Sequence, residues 1–539
     1  MAYLKRLSFL ATGVIIIAAF ALSLWVRWPA FTGEAATPNL EATYHAIWTA
    51  KAMVESSAVS HHLLSTVTLA PIPGNDISWG ATQPTAGGSY IYASFPPLAF
   101  WLATPVAGLG ANSLDLLPLS LLNSLFGLGA ALVLAALARR LYLDNRAILV
   151  GAEDRAGLDW LVFLVVTVTT LFLCESLQSH GNVYWPQSPA QIVFILGAWF
   201  GYLALKGSAS RMTTIGLMTC CAVYPMFEWS GYVFNVGIAL ALTFSALSQS
   251  ATPITQVFSR SARRSAVAAV KGLPLQIAGI TTVVGLATIL HLVTAVGWWG
   301  AIKALLMRAA ARSVTLDLAA LPSGYWTSLG LLLPFGLIAA FIVVRLQRDR
   351  TTLPSFLLLF VCAFPLLENV VMLQHASQFS FDRLKLAVPL VLALAWVAAT
   401  ASPRRVALGA PVLGAAIIAS NLFLYDGRLA VGQAWVEADR ANRLSIAPFA
   451  STLVDPCVVV GSTSNVRGYL NLLVGRDIYE FMDAQTLAAK ARSRGACGAV
   501  LIQTTNISPD LPRITAITRI SGPGAPPPLP PRPRASPPA

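Results

Sequence analysis

The chain has 539 residues, of which 56% are hydrophobic and only 11% are charged. A soluble globular protein carries about 25% charged residues, so this composition excludes a chain that is soluble as a whole and predicts one whose surface mostly faces lipid. The formal net charge is +13, which in such a chain indicates basic membrane loops rather than a nucleic-acid-binding surface.

Apolar runs along the chain predict a polytopic α-helical membrane protein, since about 18 consecutive apolar residues suffice for a span. The first run follows Lys5 and Arg6 but lacks a clean small-residue cleavage site, so we predict a retained span rather than a signal peptide. About eleven transmembrane helices are predicted, at residues 8–26, 116–138, 158–176, 189–205, 212–227, 231–247, 273–297, 325–344, 353–373, 384–400 and 406–424.

The distribution of Lys and Arg predicts the orientation. With the N-terminus inside, six short inner loops hold 17 basic residues, and the outer connections as far as Lys385 hold 7. This bias follows the positive-inside rule. We therefore predict an inner-membrane protein, of bacterial type by its compact loops, with a cytoplasmic N-terminus and an extracytoplasmic C-terminal domain.

The predicted transmembrane domain, residues 1–424, contains a long first outer loop, residues 27–117. In a segment that starts at Glu41, Ile47 and Trp48 follow Tyr44 by three and four residues, which predicts a helix lying in the membrane interface. Glu41 could act as a general base, bind a cation, or serve only as an acid favoured at a helix N-terminus.

The same loop closes with Tyr90-Ile91-Tyr92-Ala93-Ser94-Phe95-Pro96-Pro97-Leu98-Ala99-Phe100-Trp101-Leu102. Two prolines suit the first turn of a helix, and the aromatic residues suit a membrane interface. The segment therefore predicts an anchored helix that begins after Pro97.

This order of span, acidic helix, proline-aromatic segment and span ending in Arg139-Arg140 resembles the GT-C superfamily of polyprenyl-phosphate-sugar glycosyltransferases. Protein O-mannosyltransferases and the aminoarabinose transferases of lipid A are the members most similar in pattern, over residues 1–145. The resemblance implies a GT-C-like fold, a lipid-phosphate-linked sugar donor, inverting chemistry and Glu41 as catalytic base. The chain departs from the family by having Leu40-Glu41 in place of an Asp-Glu pair and Phe95 in place of His or Lys.

A late outer segment, residues 368–385, carries ionisable groups at the ends of two predicted spans, where such groups are costly and indicate function. Arg383 and Lys385 could bind the donor phosphate or simply extend into the interface. His375 could assist the leaving group or hydrogen-bond the sugar, or be an ordinary polar residue.

Other outer turns carry weaker candidates. Tyr44, His45, Glu228 and Trp229 could contact the sugar or the acceptor, although Glu228 and Trp229 could equally form a turn with an interfacial aromatic. A further outer turn gathers Glu175, Gln178, His180 and Trp185, with the same two interpretations.

Beyond Tyr425 the hydropathy falls and the pattern changes. Predicted strands 456–461, 476–481 and 499–503 alternate with predicted helices 465–474 and 484–494, which indicates a parallel-sheet α/β domain over residues 425–520. Cys457 and Cys497 precede two of these strands and could form a disulfide in an oxidising compartment. The Pro-rich tail, residues 521–539, is predicted to be disordered.

These features predict an integral membrane glycosyltransferase that moves a sugar from a polyprenyl-phosphate carrier to a lipid, polysaccharide or protein acceptor. No cofactor is required; a divalent metal is possible, but the chain has no metal-ligand motif. Two alternatives remain open, a flippase or transporter of lipid-linked sugars and a catalytically degenerate GT-C-like scaffold. No nucleic-acid partner is expected.

Overall fold

The computed structural model describes residues 2–69, 82–110, 112, 114–149, 157–249, 270–311, 320–346, 352–464, 468–508 and 511–521. For residues 373–375 it describes the backbone but not the side chains. The described chain divides into two compact units, a helical unit that ends at Val436 and a C-terminal unit that begins at Glu437.

The helical unit consists almost entirely of helices. They are α1 Ala2–Phe31, α2 Glu41–Glu55, α3 Ala58–His61, α4 Leu98–Ala107, α5 Leu117–Leu149, α6 Leu158–Leu171, α7 Cys174–Ser179, α8 Gln187–Leu205, α9 Arg211–Phe227, α10 Ser230–Gln249, α11 Leu273–Ala311, α12 Ala320–Leu329, α13 Leu332–Leu346, α14 Leu353–Ala363, α15 Leu366–Val371, α16 Leu373–Gln378, a 3₁₀ helix Ser380–Leu386, α17 Ala387–Thr400 and α18 Pro403–Ile446. A short antiparallel hairpin joins β1 Thr82–Pro84 to β2 Tyr90–Tyr92.

Eight helices of the described chain are long and apolar enough to cross a membrane, or nine if the bent pair α12–α13 forms one span. This is the helical composition of an integral membrane protein. The short apolar helices α4 and α6 have 10 and 14 residues, so the predicted span 158–176 is a helix that ends at Leu171. The predicted span 212–227 is α9, with 17 residues.

Glycines mark two breaks in the predicted spans. The predicted span 325–344 is the pair α12–α13, bent by 101° at Gly330, which has φ 52. A Cβ at Gly330 would lie 2.7 Å from Ser420 Oγ, so both the backbone angle and the packing require glycine here. The second break is at Gly297 inside α11, with φ 72.

The core of the helical unit forms around α5, which packs against α6, α8 and α17. Its inner face carries the small residues Ala131, Ala135 and Ala138, each fully buried. Small side chains let helix backbones approach closely, which is the main source of helix association within a membrane.

The C-terminal unit contains β3 Val458–Ser462, β4 Gly498–Ser508 and β5 Leu511–Ser521 with helices α19 Ala450–Leu453, α20 Tyr469–Val474 and α21 Ala484–Ser493. The strand order is β3-β4-β5. Strands β3 and β4 are parallel and β4 and β5 are antiparallel, so the prediction of a purely parallel sheet was wrong.

The predicted strand 476–481 is also corrected. It contributes only an isolated parallel bridge between Tyr479 and Gly461, on the edge of β3 that does not pair with β4. Cys457 and Cys497 form a disulfide with Cα atoms 5.4 Å apart. They lie one residue before Val458 and Gly498, which are register partners. The predicted disordered tail lies outside the described residues, apart from Ser521.

Candidate active site

Helix α2 begins at Glu41, as the apolar spacing predicted, but it does not lie in an interface. Glu41, Thr43 and Trp48 are 6%, 0% and 2% exposed, and only the last residues of the helix reach the surface. Since α4 packs directly against it, the helix is buried on all faces over most of its length. The prediction of a one-sided amphipathic helix was therefore wrong, and the carboxylate of Glu41 lies inside the protein.

The start of α2 is fastened to the segment between α7 and α8. Thr43 Oγ1 donates to the carbonyl oxygen of Asn182 at 2.6 Å and accepts from the backbone N–H of Tyr184 at 2.8 Å. Thr37 Oγ1 donates to Asn182 Oδ1 at 2.9 Å. These contacts fix the backbone on both sides of Glu41 against the segment between α7 and α8.

A third segment joins them through side-chain amides. Gln178 Nε2 donates to the carbonyl of Pro38 at 2.6 Å and to Ser380 Oγ at 3.1 Å. Gln187 Nε2 donates to Asp382 Oδ1 at 2.6 Å. We call residues 37–43, 175–187 and 378–385 the converging segments, because these hydrogen bonds bring all three to one place.

Glu175 and Arg428 form a buried ion pair at this place. Arg428 Nη1 and Nη2 each lie 3.0 Å from Glu175 Oε2, and Glu175 is fully buried. Burial by itself raises the pKa of Glu175, but the Arg428 charge and the Ser179 hydroxyl outweigh it, so that the pKa is lowered. The carboxylate is therefore charged, and both of its oxygens accept hydrogen bonds, one from Ser179 and the other from Arg428.

Arg428 was missed in the sequence because it lies beyond the end of a predicted span. It also donates to Ser328 Oγ at 3.0 Å, to the carbonyl of Thr327 at 3.1 Å and to Gln178 Oε1. A lone arginine shortly after an apolar run was the available signal, but nothing local in the sequence pairs it with Glu175.

Arg383 lies next to this pair and is 5% exposed. Its guanidinium donates to the carbonyl oxygens of Ala376 at 2.8 Å, Gly324 at 2.9 Å and Ser377 at 2.5 Å. It also reaches Ser328 Oγ at 3.3 Å, so two guanidinium groups share one hydroxyl. A Cβ at Gly324 would lie 2.6 Å from Arg383 Cζ, so any side chain there would displace the guanidinium.

Lys385 lies between two carboxylates. Its Nζ is 2.5 Å from Glu228 Oε1 and 3.0 Å from Glu368 Oε2, and Lys385 and Glu228 are 4% and 1% exposed. Burial raises the pKa of Glu228 to about 7; the Lys385 charge opposes this shift and the Glu368 charge adds to it. The adjoining cavity of about 10 Å³ holds one water molecule at most, so the ammonium is enclosed.

Aromatic rings surround Trp185. Its ring centroid lies 5.4 Å from His45, 5.3 Å from Phe95 and 6.0 Å from Phe381, and Tyr92 and Phe100 complete the group. The candidate His45 thus lies in an aromatic cluster beside the converging segments.

The remaining candidates lie at the edges of the site. Tyr44 stacks on Trp435 at 5.7 Å. Trp229 stacks on Tyr232 at 5.9 Å and donates from Nε1 to the carbonyl of Ser94 at 2.9 Å. The side chain of His375 lies outside the described residues. Among the described residues, no group of three or more His, Cys, Asp or Glu side chains is arranged to hold a metal ion.

Comparison with known proteins identifies the fold. No protein-family model matches the sequence, and no curated protein matches it significantly. The crystal structure of the Archaeoglobus fulgidus oligosaccharyltransferase in its apo form is similar, with a TM-score of 0.53 and 11% sequence identity over 91% of this chain and 69% of that one. The same archaeal enzyme, AglB, in complex with an inhibitory peptide and a dolichol-phosphate aligns with a TM-score of 0.52 at 12% identity over the same shares of the two chains.

ArnT from Cupriavidus metallidurans aligns over 93% of this chain and 94% of its own, at 13% identity, but with a TM-score of 0.35, which is too low to support an argument. AglB is a GT-C glycosyltransferase. At 11% and 12% identity the similarity to it shows the fold alone, so the chain has the GT-C fold that the resemblance in its sequence implied.

Proposed function

We propose that this chain is an integral membrane glycosyltransferase that takes a sugar from a polyprenyl-phosphate carrier and places it on an acceptor at the extracytoplasmic face. The similarity to AglB supports the fold on which this proposal rests. AglB has been solved with a dolichol-phosphate and with an acceptor peptide, and a lipid-linked donor of this kind is the one we propose here.

The observation that carries the proposal is the position of Glu41. It is a buried carboxylate at the start of a buried helix, at the place where the three converging segments meet. A general base needs a fixed carboxylate within reach of the acceptor. We propose that Glu41 takes the proton of the acceptor nucleophile while that nucleophile displaces the phosphate from the sugar with inversion.

In this proposal, Arg383 and Arg428 stabilise the leaving phosphate, while Glu41 activates the acceptor. As the glycosidic bond breaks, negative charge develops on the phosphate, and fixed positive charges stabilise it. Arg383 and Arg428, which meet at Ser328, supply that charge. Lys385 adds to it only if it exchanges Glu228 or Glu368 for the phosphate, since both carboxylates now hold it. The reaction as proposed requires no metal ion.

One alternative has specific support in the site. Leu40 stands where the family has an acid, and Lys385 and Arg428 are already held by carboxylates of the chain itself. These features would also suit a GT-C-like scaffold that has lost activity. The two proposals differ in one outcome, the release of free polyprenyl phosphate.

The experiment compares two carboxylates on one helix. Glu41→Gln and Glu55→Gln make the same chemical change at the buried start and the exposed end of α2. We expect Glu41→Gln to reduce sugar transfer from polyprenyl-phosphate donors by at least about 100-fold, the scale of a lost general base. Glu55→Gln should retain wild-type turnover.

Measuring donor binding together with sugar transfer distinguishes a wrong assignment of the base from a scaffold without activity. If Glu41→Gln and wild type transfer at the same rate, Glu41 is not the base. If wild type binds the donor but releases no polyprenyl phosphate with any acceptor extract, the scaffold alternative replaces the proposed function.

A further inference from the structure

A long groove crosses the outside of the helical unit between α6, α17 and α18. It encloses about 300 Å³, and its walls are apolar except for Thr169 and Arg405. Val166, Leu394, Ala398 and Leu413 are typical of the lining. The groove lies within three apolar helices, so hydrocarbon rather than water is its natural surrounding.

One end of the groove carries an unneutralised charge. Arg405 lines it near the start of α18, is exposed, and has no carboxylate within salt-bridge distance among the described residues. An arginine fork at the edge of an apolar surface is suited to a phosphate group.

A second groove, lined by α1, α5 and α6, shows the contrast. It also contains one arginine, Arg139, but Arg139 donates from Nε to Asp159 Oδ2 at 2.7 Å and its guanidinium lies 4.0 Å from the Trp160 ring centroid. Its charge is therefore already compensated. Among the described residues, Arg405 in the first groove has no carboxylate partner, whereas Arg139 in the second groove has one.

The length of the first groove matches one leaflet. Along α18 it extends from Arg405 to Ile417, which at 1.5 Å per residue is about 18 Å. Half of a hydrocarbon core of about 30 Å is about 15 Å. A lipid chain whose phosphate is at Arg405 would therefore run the length of the groove and end near the middle of the bilayer.

We infer that this groove is a binding site for one anionic phospholipid of the leaflet on the Arg404–Arg405 side, with its phosphate on Arg405 and one acyl chain along α18. The inference concerns a face of the molecule away from the converging segments and does not depend on the proposed catalytic function.

Two glycines form part of the groove, and one of them offers a clean test. A Cβ at Gly414 would lie 2.9 Å from Val165 Cγ1, so Gly414 allows α18 to approach α6 closely. A Cβ at Gly409 would meet nothing within 4 Å. Gly409→Leu therefore introduces a side chain into the groove at a position where its Cβ meets no protein atom. Gly279 of α11 also faces open space and does not line the groove, so Gly279→Leu is the matched control.

The test is native mass spectrometry of the purified full chain titrated with dioleoylphosphatidylglycerol or dioleoylphosphatidylcholine. We expect wild type to bind the anionic lipid more tightly, and Arg405→Gln to weaken that binding about fivefold, the effect of one basic residue near a lipid surface. Binding of phosphatidylcholine should weaken less, because its choline already compensates the charge of the phosphate. Arg404→Gln, next in the chain but outside the groove, should have no effect. Gly409→Leu should reduce binding of both lipids, and Gly279→Leu should not.

Three results would overturn the inference. The first is equal binding of the two lipids by wild type. The second is an equal loss of lipid affinity in Arg404→Gln and Arg405→Gln, which would indicate a general effect of surface charge. The third is unchanged lipid binding in Gly409→Leu.

Discussion

At the scale of single residues, Arg428 makes five side-chain hydrogen bonds to the described residues of the candidate site. It holds Glu175, Ser328 and the carbonyl of Thr327, and through Gln178 it is connected to Pro38, three residues before Glu41. These partners come from two parts of the chain that are far from Arg428 in sequence, α7 and the end of α12. Arg428 thus positions groups around the site, in addition to the positive charge that it supplies in the proposed reaction.

Removing this arginine should destabilise the fold. Arg428→Gln leaves the fully buried carboxylate of Glu175 without its charge partner, and breaking a buried ion pair from one side costs about 3–5 kcal/mol. The free energy of unfolding in detergent measures this loss.

The control is an exposed pair. Arg443 Nε lies 2.7 Å from Asp439 Oδ2, and the arginine side chain is 42% exposed, so Arg443→Gln should cost less than about 1 kcal/mol. Similar losses in the two variants would show that the Arg428 pair does not stabilise the protein.

Glu228 predicts a dependence of stability on pH. Burial raises the pKa of its carboxyl from 4.5 to about 7, so the folded state favours the protonated acid more than the unfolded state does. This contribution is complete below about pH 4.5 and is lost as the pH rises through 7.

Glu228→Gln keeps the shape of the protonated acid and removes the titration. Thermal midpoints measured between pH 5 and pH 8 should therefore fall more steeply for wild type than for the variant. Parallel curves for the two proteins would contradict a raised pKa at this position.

At the scale of elements, α2 provides a matched pair of threonines. Thr43 and Thr49 are both fully buried, but Thr43 Oγ1 makes two hydrogen bonds to the next segment, whereas Thr49 Oγ1 has no hydrogen-bond partner among the described residues. Valine has nearly the shape of threonine without its hydroxyl, so Thr→Val tests the hydrogen bonds alone.

Thr43→Val should lower the free energy of unfolding by about 2 kcal/mol or more, because it leaves a buried N–H and a buried C=O without partners. Thr49→Val should be neutral or stabilising, since it removes a buried hydroxyl that has no partner. If the two variants had the same free energy of unfolding, the hydrogen bonds of Thr43 would not stabilise the position of α2.

The sequence was most informative where structure is local. The spacing of Tyr44, Ile47 and Trp48 predicted a helix beginning at Glu41, and the two prolines predicted α4, which follows Pro97 as its N-cap. Both signals depend on residues within a few turns of each other.

The contacts that build the candidate site join distant parts of the chain. Arg428 and Glu175 are 253 residues apart, and no periodicity can pair them. The burial of α2 was missed for the same reason, because the elements that cover it are not neighbours in the pattern that suggested an exposed face. The mixed sheet was missed because β5 carries no alternation that separates it from an irregular segment.

At the scale of the whole molecule, the cysteines test the predicted orientation. Cys457 and Cys497 are exposed and disulfide-bonded in the C-terminal unit, while Cys174, Cys220, Cys221 and Cys362 are buried. Intact cells treated with a membrane-impermeant reductant and an impermeant maleimide should be labelled at Cys457 and Cys497 alone. The buried cysteines serve as the internal control. Labelling that required permeabilised cells would place the C-terminal unit on the cytoplasmic side and contradict the predicted topology.

The GT-C fold, the buried carboxylate of Glu41 and the paired cations together support one central claim, that the molecule transfers a sugar from a lipid-phosphate donor. Mass-spectrometric detection of free polyprenyl phosphate, after incubation of the purified chain in proteoliposomes with polyprenyl-phosphate sugars and a membrane extract, tests it most directly. We expect free carrier to accumulate with time when the wild-type chain is present and not when Glu41→Gln replaces it. Donor that stays bound and intact in the presence of every acceptor fraction would contradict it.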